Sequence, residues 1–217
     1  MSAFLPPNVT VIQCRSMLHL FTTIRNKDTT PEQFAHTAKR LMHIISEEAL
    51  AMLDPTPVNV TTPTGAVFLG EVVDTSNIVA VSIIRAGDSL LESFMGCVPS
   101  AQVGKILIQR DEATAEPVLY YSKLPSLAGK RVVLLDPMLA TGGSAKCAIK
   151  VLLEAGADIK LMSFVTVLSC PEGLGNISRA YPGIQVITGV CDDGLDDKKY
   201  IIPGLGDYGD RFFGTVH

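Results

Sequence analysis

One stretch of the chain decides the fold, Val132-Val133-Leu134-Leu135-Asp136-Pro137-Met138-Leu139-Ala140-Thr141-Gly142-Gly143-Ser144. It opens with apolar residues, which predict a buried strand over Arg131–Leu135 that ends at the carboxylate of Asp136. It closes with small residues, which begin a predicted helix over residues 143–155, and Gly156 ends that helix. A strand, a short loop and a helix in this order form the repeating unit of a parallel α/β sheet.

Strands and helices alternate on both sides of this stretch. The capping box Thr30-Pro31-Glu32-Gln33 begins a helix that extends to Leu53, and another helix is predicted over residues 171–181. Apolar, β-branched segments predict strands at residues 66–73, 78–85, 103–109, 118–121, 159–168 and 184–190. This alternation predicts a single domain over residues 1–217, of the α/β class, with an open, mainly parallel sheet flanked by helices.

The composition excludes several classes of protein. Of the 217 residues, 47% are apolar and 18% are charged, which is too apolar for a disordered chain. The formal net charge is −4 and no dense run of Lys or Arg occurs, which argues against a dedicated nucleic-acid binder. No apolar run approaches the roughly 20 residues of a membrane-spanning helix, and no signal peptide is visible. The five cysteines form no Cys-x-x-Cys pair, so we expect free thiols in a reducing cytoplasm.

The loop from Asp136 to Ser144 has the residue types of a sugar-phosphate site. Ligands of open α/β sheets bind beyond the carboxyl ends of the strands, where this loop begins. Its small residues let backbone N–H groups approach an anion, and the following helix adds partial positive charge. Thr141 and Ser144 can donate hydroxyl hydrogen bonds to a phosphate, and Asp136 can accept from two adjacent sugar hydroxyls. On spacing alone, a ribose 5-phosphate site and an ordinary capped turn both fit.

A second informative stretch lies near the C-terminus, Tyr200-Ile201-Ile202-Pro203-Gly204-Leu205-Gly206-Asp207-Tyr208-Gly209-Asp210-Arg211-Phe212-Phe213-Gly214-Thr215. It contains the spacing Gly-x-Gly-x-x-Gly of a dinucleotide-binding turn. That interpretation fails because residues 210–217 are too few for the helix and second strand that such a site requires. Apolar residues are interspersed with the glycines, which favours a packed loop over a disordered tail.

Together these stretches resemble one family. The motif at residues 132–144 resembles the phosphoribosyl pyrophosphate (PRPP) motif of the phosphoribosyltransferases, and a single acidic residue followed by Pro137 is similar to the uracil phosphoribosyltransferase branch. Residues 200–215 resemble the uracil-binding segment of that family, residues 82–87 its pyrophosphate loop, and residues 109–117 its β-arm. The resemblance implies the type I phosphoribosyltransferase fold, with a β-arm hairpin and a C-terminal hood over the base.

The resemblance also implies which residues bind the substrates. PRPP would contact Arg85, Arg110, Asp136, Pro137, Met138, Leu139, Ala140, Thr141, Gly142, Gly143, Ser144 and Asp207. Uracil would contact Met138, Ile201, Gly206, Asp207 and Tyr208. The implied catalytic residues are Arg85 and Arg110, which would stabilise the leaving pyrophosphate, and Asp207, which would orient or deprotonate uracil through water. Taken singly, each arginine also fits a solvated surface charge.

A main-chain loop can distinguish uracil from cytosine. Uracil presents an N3–H donor between two carbonyl acceptors, a pattern that fixed backbone groups can match. Cytosine has an acceptor at N3 and a donor at position 4, and such buried mismatches can reject an analogue by about 10⁴-fold. Tyr208 occupies a position where many bacterial relatives have a small residue, so the sequence leaves the width of the base pocket open.

The implied reaction is a pyrimidine salvage step in which uracil and PRPP give UMP and pyrophosphate. Mg²⁺ is the implied cofactor, bound through PRPP without a direct protein ligand. The resemblance implies a homodimer or homotetramer without nucleic-acid or membrane partners, and it leaves activation by GTP open. The alternatives at this stage are a PRPP-dependent transferase for purines or orotate, an RNA-binding module on the same scaffold, and an inactive nucleotide sensor.

Other polar groups have simpler interpretations. The acidic residues between Asp192 and Asp197 are interpreted as a solvated, flexible loop over the base pocket rather than a metal site. His36 and His43 lie seven residues apart on the first predicted helix and, without an evident third ligand, are interpreted as structural. Cys147 is interpreted as a packing residue of the helix after the phosphate loop. Residues 19–28 are given no role in the site.

Overall fold

The structure, a computed structural model, describes residues 5–110 and 117–215, and of residue 110 only the backbone. Its helices are α1 (Met17–Arg25), α2 (Pro31–Ala51), α3 (Gly87–Cys97), α4 (Gly143–Glu154), α5 (Pro171–Ala180) and α6 (Tyr208–Phe213). Its strands are β1 (Val9–Val11), β2 (Thr56–Thr61), β3 (Val67–Val72), β4 (Ile78–Ile84), β5 (Gln102–Arg110), β6 (Pro117–Lys123), β7 (Arg131–Leu135), β8 (Met138–Leu139), β9 (Met162–Ser169), β10 (Gln185–Cys191), β11 (Gly194–Leu195) and β12 (Ile201–Ile202).

The central sheet has the strand order β1-β10-β9-β7-β4-β5-β6, and the short β8 also pairs with β9. All neighbouring strands in this order are parallel except β5 and β6, which form an antiparallel hairpin. The predicted fold class, an open and mainly parallel sheet flanked by helices, is therefore confirmed. The predicted return of residues 118–121 beside residues 103–109 is confirmed as well.

The direction of winding reverses at β4. The chain passes from β4 to β5 on one side, whereas β7, β9 and β10 follow on the other side. In open parallel sheets, ligands bind in the crevice that this reversal opens at the carboxyl ends of the strands. Here those ends are Ile84, which Arg85 follows, and Leu135, which Asp136 follows. The topology thus brings the loop that begins with Arg85 and the loop that begins with Asp136 to one crevice.

Two apolar clusters cover the two faces of the sheet. Successive residues of β4 alternate between them, because Ile78 and Ala80 belong to one cluster and Val79 and Val81 to the other. The first cluster contains residues of α1, α2 and α3 and the buried ring of Tyr208, and the second contains residues of α4 and α5. No helix within residues 5–110 and 117–215 is both long and apolar enough to span a membrane.

Local signals predicted several boundaries correctly and others incorrectly. Helix α2 begins as predicted, with the Thr30 hydroxyl accepting a hydrogen bond from the Gln33 N–H at 3.3 Å. The segment 159–168 is not one strand. Its first three residues form a 3₁₀ turn in which the carboxylate of Asp158 accepts from the Lys160 N–H at 2.9 Å. The segment 66–73 is a strand, but it pairs with β2 in a separate two-stranded hairpin outside the central sheet.

Candidate active site

A cavity of about 790 Å³ opens at the carboxyl edge of the central sheet. It is lined by residues 84–86 after β4, 107–109 near the end of β5, 138 and 140 after β7, and 198–201 and 206–209 of the C-terminal segment. The cavity therefore lies at the reversal of strand order. Residues from both of the stretches quoted above, 132–144 and 200–215, line it.

The loop between β7 and α4 is fixed by hydrogen bonds from neighbouring elements. The carbonyl of Pro137 accepts from two N–H groups of β9, at 3.1 and 3.0 Å. The side-chain amide of Asn176 in α5 donates to the carbonyl of Thr141 at 2.9 Å, and the Cys170 thiol donates to the carbonyl of Ala140 at 3.2 Å. These contacts bind the loop's carbonyl groups to the scaffold and hold the loop beside the N-terminus of α4.

The turn that begins α4 requires glycine. Gly142 has a φ of +82°, in the left-handed region, and a Cβ there would lie 3.4 Å from the carbonyl oxygen of Gly173. The first N–H groups of a helix have no partner within the helix, and they carry partial positive charge. The Thr141 hydroxyl lies 3.5 Å from the Gly143 N–H. Hydroxyl and N–H donors therefore meet at this turn, which suits an anion such as phosphate.

Arg85, directly after β4, contacts the C-terminal helix. One of its guanidinium nitrogens lies 2.6 Å from a carboxylate oxygen of Asp210, and the other donates to the Thr215 hydroxyl at 3.0 Å. The guanidinium also lies 5.3 Å from the centre of the Phe213 ring. About half of the Arg85 side chain (48%) is exposed, so the group is anchored and still accessible from the cavity.

Asp207 lies beside this arginine at the start of α6. Its carboxylate accepts from the Asp210 N–H at 2.9 Å and so caps the helix. A Cβ on Gly209 would lie 3.4 Å from both the Arg85 guanidinium and the Asp207 carboxylate. The C-terminal segment was predicted to be a packed loop. It does pack, but residues 208–213 form a short helix that carries these side chains.

A partly buried ion pair holds residues 203–207, the segment between β12 and α6 that we call the ribbon. Arg25 of α1 binds the carboxylate of Asp192 through two hydrogen bonds of 2.6 and 2.7 Å. The same pair binds Gly204, because Asp192 accepts from its N–H and Arg25 donates to its carbonyl, both at 2.8 Å. Gly204 has a φ of +61°, and a Cβ there would overlap the carbonyl of Ile201. Arg211 donates to the next carbonyl, that of Leu205, at 2.6 Å.

The expectation of a solvated, flexible acidic loop over the base pocket is wrong for part of the segment. Asp192 is buried in the ion pair with Arg25. Asp196 accepts from the N–H groups of Lys198 and Tyr200 at 2.9 and 2.8 Å, which closes a hydrogen-bonded turn. Lys198 and Lys199 line the cavity, so this turn brings cations rather than carboxylates to the proposed substrate space.

The ring of Tyr208 is buried in the core. It is 2% exposed, packs edge-on against Phe34 at 5.4 Å and stacks with Phe212 at 5.7 Å. Its hydroxyl accepts from Ser89 at 3.2 Å and donates to the sulfur of Met42 at 3.1 Å. Burial raises the pKa of Tyr208. These contacts hold the ring in the core, although Tyr208 is also among the residues that line the cavity.

The structure brings seven of the predicted site residues to the cavity wall, namely Arg85, Met138, Ala140, Ile201, Gly206, Asp207 and Tyr208. The other predicted PRPP contacts belong to the adjoining strand–loop–helix unit, namely Asp136, Pro137, Leu139, Thr141, Gly142, Gly143 and Ser144. Of these, Leu139 has its side chain in the core, 1% exposed, so any contact must use its backbone. The side chain of Arg110 and residues 111–116 of the β-arm lie outside the described residues.

Two supporting groups were missed by sequence reasoning. Arg25 was given no role, and no local signal connects it to Asp192, which lies 167 positions further along the chain. Asp88, in the first turn of α3, accepts from the Ser82 hydroxyl at 2.6 Å and from Lys105 at 2.7 Å, and so anchors the segment that carries Arg85. The sequence signal that could have indicated Asp88 is its position in the first turn of a helix, where acidic residues are favoured.

Comparison with known proteins identifies the family of this arrangement. Residues 11–215 match the family model described as uracil phosphoribosyltransferase. The chain is 46% identical to uracil phosphoribosyltransferase 1 of Schizosaccharomyces pombe, over 96% of this chain and 95% of that protein. It is 45% identical to a uracil phosphoribosyltransferase of Dictyostelium discoideum, over 97% and 98% of the two chains.

A solved structure agrees with these matches. The AQ2163 protein of Aquifex aeolicus superimposes with a TM-score of 0.83 at 38% sequence identity, covering 96% of this chain and 99% of the other. The resemblance drawn from residues 132–144 and 200–215 is therefore confirmed, and so is the fold that positions them. The chain belongs to the uracil phosphoribosyltransferase family.

Proposed function

We propose that this chain, acting as a single domain, transfers the phosphoribosyl group of PRPP to N1 of uracil and releases UMP and pyrophosphate. The observation that carries the proposal is the shared cavity of about 790 Å³, which the loop after β7 and the C-terminal segment line together. Small-molecule sites occupy about 300–1,000 Å³, so this space suits a nucleotide-sized pair of substrates. Family membership supports the same reaction.

The phosphoribosyl part is assigned to the strand–loop–helix unit. The 5-phosphate would receive hydrogen bonds from the Thr141 and Ser144 hydroxyls and from the N–H groups that begin α4. Asp136, half-buried directly after β7, would accept from the two ribose hydroxyls. This division fits the topology because the phosphate lies at the helix terminus while the ribose lies at the end of the strand.

The pyrophosphate is assigned to the opposite side of the crevice. Arg85 lies at the end of β4, and Lys198 and Lys199 line the same cavity, so cationic groups surround the expected position of the leaving group. Arg110 is assigned to the same role from the resemblance alone. Arginine suits this task because its planar guanidinium contacts two phosphate oxygens at once.

Mg²⁺ is the proposed cofactor. It prefers phosphate oxygens and water to all-protein cages, and when bound it would neutralise charge on the pyrophosphate. Two carboxylates close to Arg85 already have partners, since Asp207 caps α6 and Asp210 pairs with the arginine. The donor set around the cavity therefore fits a cation held through PRPP better than one held by a cluster of carboxylates.

Catalysis in this assignment is positioning and electrostatic stabilisation. As the pyrophosphate departs, positive charge develops at the anomeric carbon and negative charge on the leaving oxygens, which the arginine and lysine side chains stabilise. Uracil N1 attacks from the opposite face, so no covalent nucleophile is required. Asp207 is assigned the role of orienting uracil or accepting its proton through water. Asp207→Asn should lower kcat, and normal turnover in that variant would remove Asp207 from the mechanism.

The ribbon is assigned to base recognition. Arg25, Asp192 and Arg211 bind backbone groups of Gly204 and Leu205 from the outer side, and Gly206 and Asp207 line the cavity. Backbone groups held in this way can match the acceptor–donor–acceptor edge of uracil. They would leave cytosine with unpaired buried groups, which costs about 1–3 kcal/mol for each unsatisfied group.

The decisive experiment is incubation of the purified protein with PRPP, Mg²⁺ and labelled uracil, followed by detection of UMP and pyrophosphate. Parallel reactions replace uracil with cytosine, orotate or hypoxanthine. We expect UMP alone. Preferential use of orotate or hypoxanthine would indicate a different base specificity, and absence of any nucleotide would contradict the enzymatic role.

We also propose that the chain forms a homodimer or homotetramer. The β2–β3 hairpin stands apart from the central sheet and exposes apolar side chains, with Val67, Phe68 and Leu69 each 61–77% exposed. Tyr120 and Tyr121 of β6 are half-exposed as well. Apolar surface of this kind is typical of protein–protein contacts. Sedimentation of the parent and of the Phe68→Ser variant tests this. If the hairpin forms the contact between subunits, the variant should dissociate more readily than the parent.

Two smaller assignments complete the proposal. A cytoplasmic location suits the five free cysteines, because a reducing compartment keeps thiols unpaired. GTP activation is tested by measuring UMP formation with and without GTP at subsaturating PRPP. Higher turnover with GTP would establish activation.

A further inference from the structure

Three potential metal ligands meet on the outer surface between α2 and α3. His43 and Glu47 lie one turn apart on α2, which places them on the same helix face. Cys97 is the last residue of α3, and packing of the two helices brings its sulfur to 3.5 Å from His43 Nδ1. The ligand atoms of all three residues lie within 4.8 Å of one another. Within residues 5–110 and 117–215, no other group of His, Cys, Asp and Glu side chains is gathered in this way.

The spacing of these atoms suits a tetrahedral metal ion. Zinc binds thiolate sulfur at about 2.3 Å and imidazole nitrogen at about 2.0–2.1 Å, so tetrahedral ligands of these two types lie about 3.6 Å apart. The observed separation of 3.5 Å between the Cys97 sulfur and His43 Nδ1 matches this value. The helix scaffold therefore already holds two ligand atoms at coordination distance from a common centre, and Glu47 supplies a third within reach.

The local electrostatics favour a cation at this position. The Glu47 carboxylate and the Cys97 sulfur lie within 4.8 Å of each other. Once a divalent cation displaces the thiol proton, it lies between the thiolate and the carboxylate and offsets the repulsion between these two anions. The nearby Lys39 is already paired with Glu92 at 2.9 Å, so its charge is partly balanced.

We propose that His43 Nδ1, the Cys97 sulfur and a Glu47 carboxylate oxygen bind one Zn²⁺ ion, with water as the fourth ligand. Coordination forms a Zn–S bond and releases the thiol proton to solvent, so no oxidant or reductant is involved. Zinc is the preferred ion because a mixed sulfur, nitrogen and oxygen ligand set suits it, whereas Mg²⁺ and Ca²⁺ require oxygen ligands. The ion would tie α2 to the end of α3. The site is separate from the proposed catalytic cavity.

The experiment titrates the full-length protein, first stripped of metals with a chelator and dialysed, with Co²⁺ and then with Zn²⁺. Cobalt bound by a thiolate gives a sulfur-to-metal charge-transfer absorption, which a site made of carboxylates does not give. We expect this absorption to saturate at one Co²⁺ per chain and to disappear when Zn²⁺ displaces the cobalt. Absence of the absorption in the parent protein would overturn the proposal.

Variants locate the site. Cys97→Ser should abolish the sulfur absorption, and His43→Gln and Glu47→Gln should each weaken Co²⁺ binding by about 10-fold or more, as removal of a ligand does at defined metal sites. Cys147→Ser, at another half-buried free thiol, and His36→Gln, on the same helix as His43, are the matched controls and should bind as the parent does. Loss of the absorption in Cys147→Ser but not in Cys97→Ser would contradict the assignment.

A second readout is independent of spectroscopy. Zinc that binds only the folded protein raises the thermal unfolding midpoint. The midpoint should rise with added Zn²⁺ in the parent and in both control variants, and it should not rise in Cys97→Ser. The midpoints without metal show whether each variant folds. An equal rise in the parent and in Cys97→Ser would assign the bound zinc to another site and overturn the proposal.

Discussion

Arg25 and Asp192 form a partly buried ion pair that binds both the N–H and the carbonyl of Gly204. The carboxylate of Asp192 accepts two hydrogen bonds from Arg25, and its side chain is 5% exposed. The pair thereby connects the end of α1 to the ribbon that we assign to base recognition. Rigid backbone groups discriminate between bases better than mobile ones because they cannot move to accommodate a mismatch.

Asp192→Asn should impair uracil binding more than PRPP binding. The pair is partly buried, with the Arg25 side chain 23% exposed, so its loss should cost about 1–3 kcal/mol of stability. A displaced ribbon should raise the KM for uracil by about tenfold or more. Steady-state kinetics with each substrate varied in turn, together with urea unfolding, measure both effects. Glu92→Gln, which breaks the exposed Lys39–Glu92 pair, is the control and should change neither. Equal increases in both KM values would contradict a role specific to the base.

Asp210 should act on catalysis through Arg85. The two charges lie 2.6 Å apart, but both side chains are nearly half exposed, so the pair adds only about 0–1 kcal/mol to stability. Arg85→Lys, which loses the planar fork, should lower kcat by about 100-fold. Asp210→Asn should lower kcat less, with an unfolding midpoint close to that of the parent. Unchanged kcat in Arg85→Lys would exclude this arginine from pyrophosphate stabilisation.

Gly204→Ala should disable the ribbon for a steric reason. The added methyl group would overlap the carbonyl of Ile201, and alanine is disfavoured at a φ of +61°. Gly65→Ala is the matched control, since Gly65 also has a positive φ, +83°, but has open space around its Cβ position. The control should lose only about 1 kcal/mol of stability and retain the parent's KM for uracil. Equal behaviour of the two variants in uracil kinetics would contradict the steric argument.

Tyr208→Phe should leave the KM for uracil within about twofold of the parent, because the ring is buried in the core. Stability should fall by about 1 kcal/mol, since the contacts of the hydroxyl with Ser89 and Met42 are lost. Steady-state kinetics and urea unfolding at neutral pH separate the two outcomes. A several-fold change in the KM for uracil would show that the ring does shape the base pocket.

The same variant predicts a difference in alkaline stability. Burial raises the pKa of Tyr208 in the folded protein, and the hydrogen bond from Ser89 opposes this only in part. The unfolded chain therefore loses this proton first, near the ordinary tyrosine value of about 10, and stability falls as the pH rises further. The free energy of unfolding of the parent should decrease more steeply above about pH 10 than that of Tyr208→Phe. Identical slopes would contradict the burial of this hydroxyl.

Sequence reasoning succeeded where the signal is local. The apolar strand 131–135, the turn at Gly142 and the helix after it depend on side-chain period and on capping within a few residues, so they could be predicted directly. It failed where a segment could pair with more than one partner. The strand β3 was identified, yet its pairing with β2 outside the central sheet follows from chain geometry that a short window does not contain.

The sequence by itself determined the family, the α/β class and the two motifs that meet at the cavity. Composition, hydrophobic period and short spacings are properties of contiguous residues, and they carry this information without the fold. Only the tertiary structure decided that Arg25 holds Asp192 and that His43 and Glu47 meet Cys97. It also decided that the Tyr208 ring packs in the core against Phe34. These contacts join residues far apart in the chain, and such residues become neighbours only when helices and strands pack around a common core.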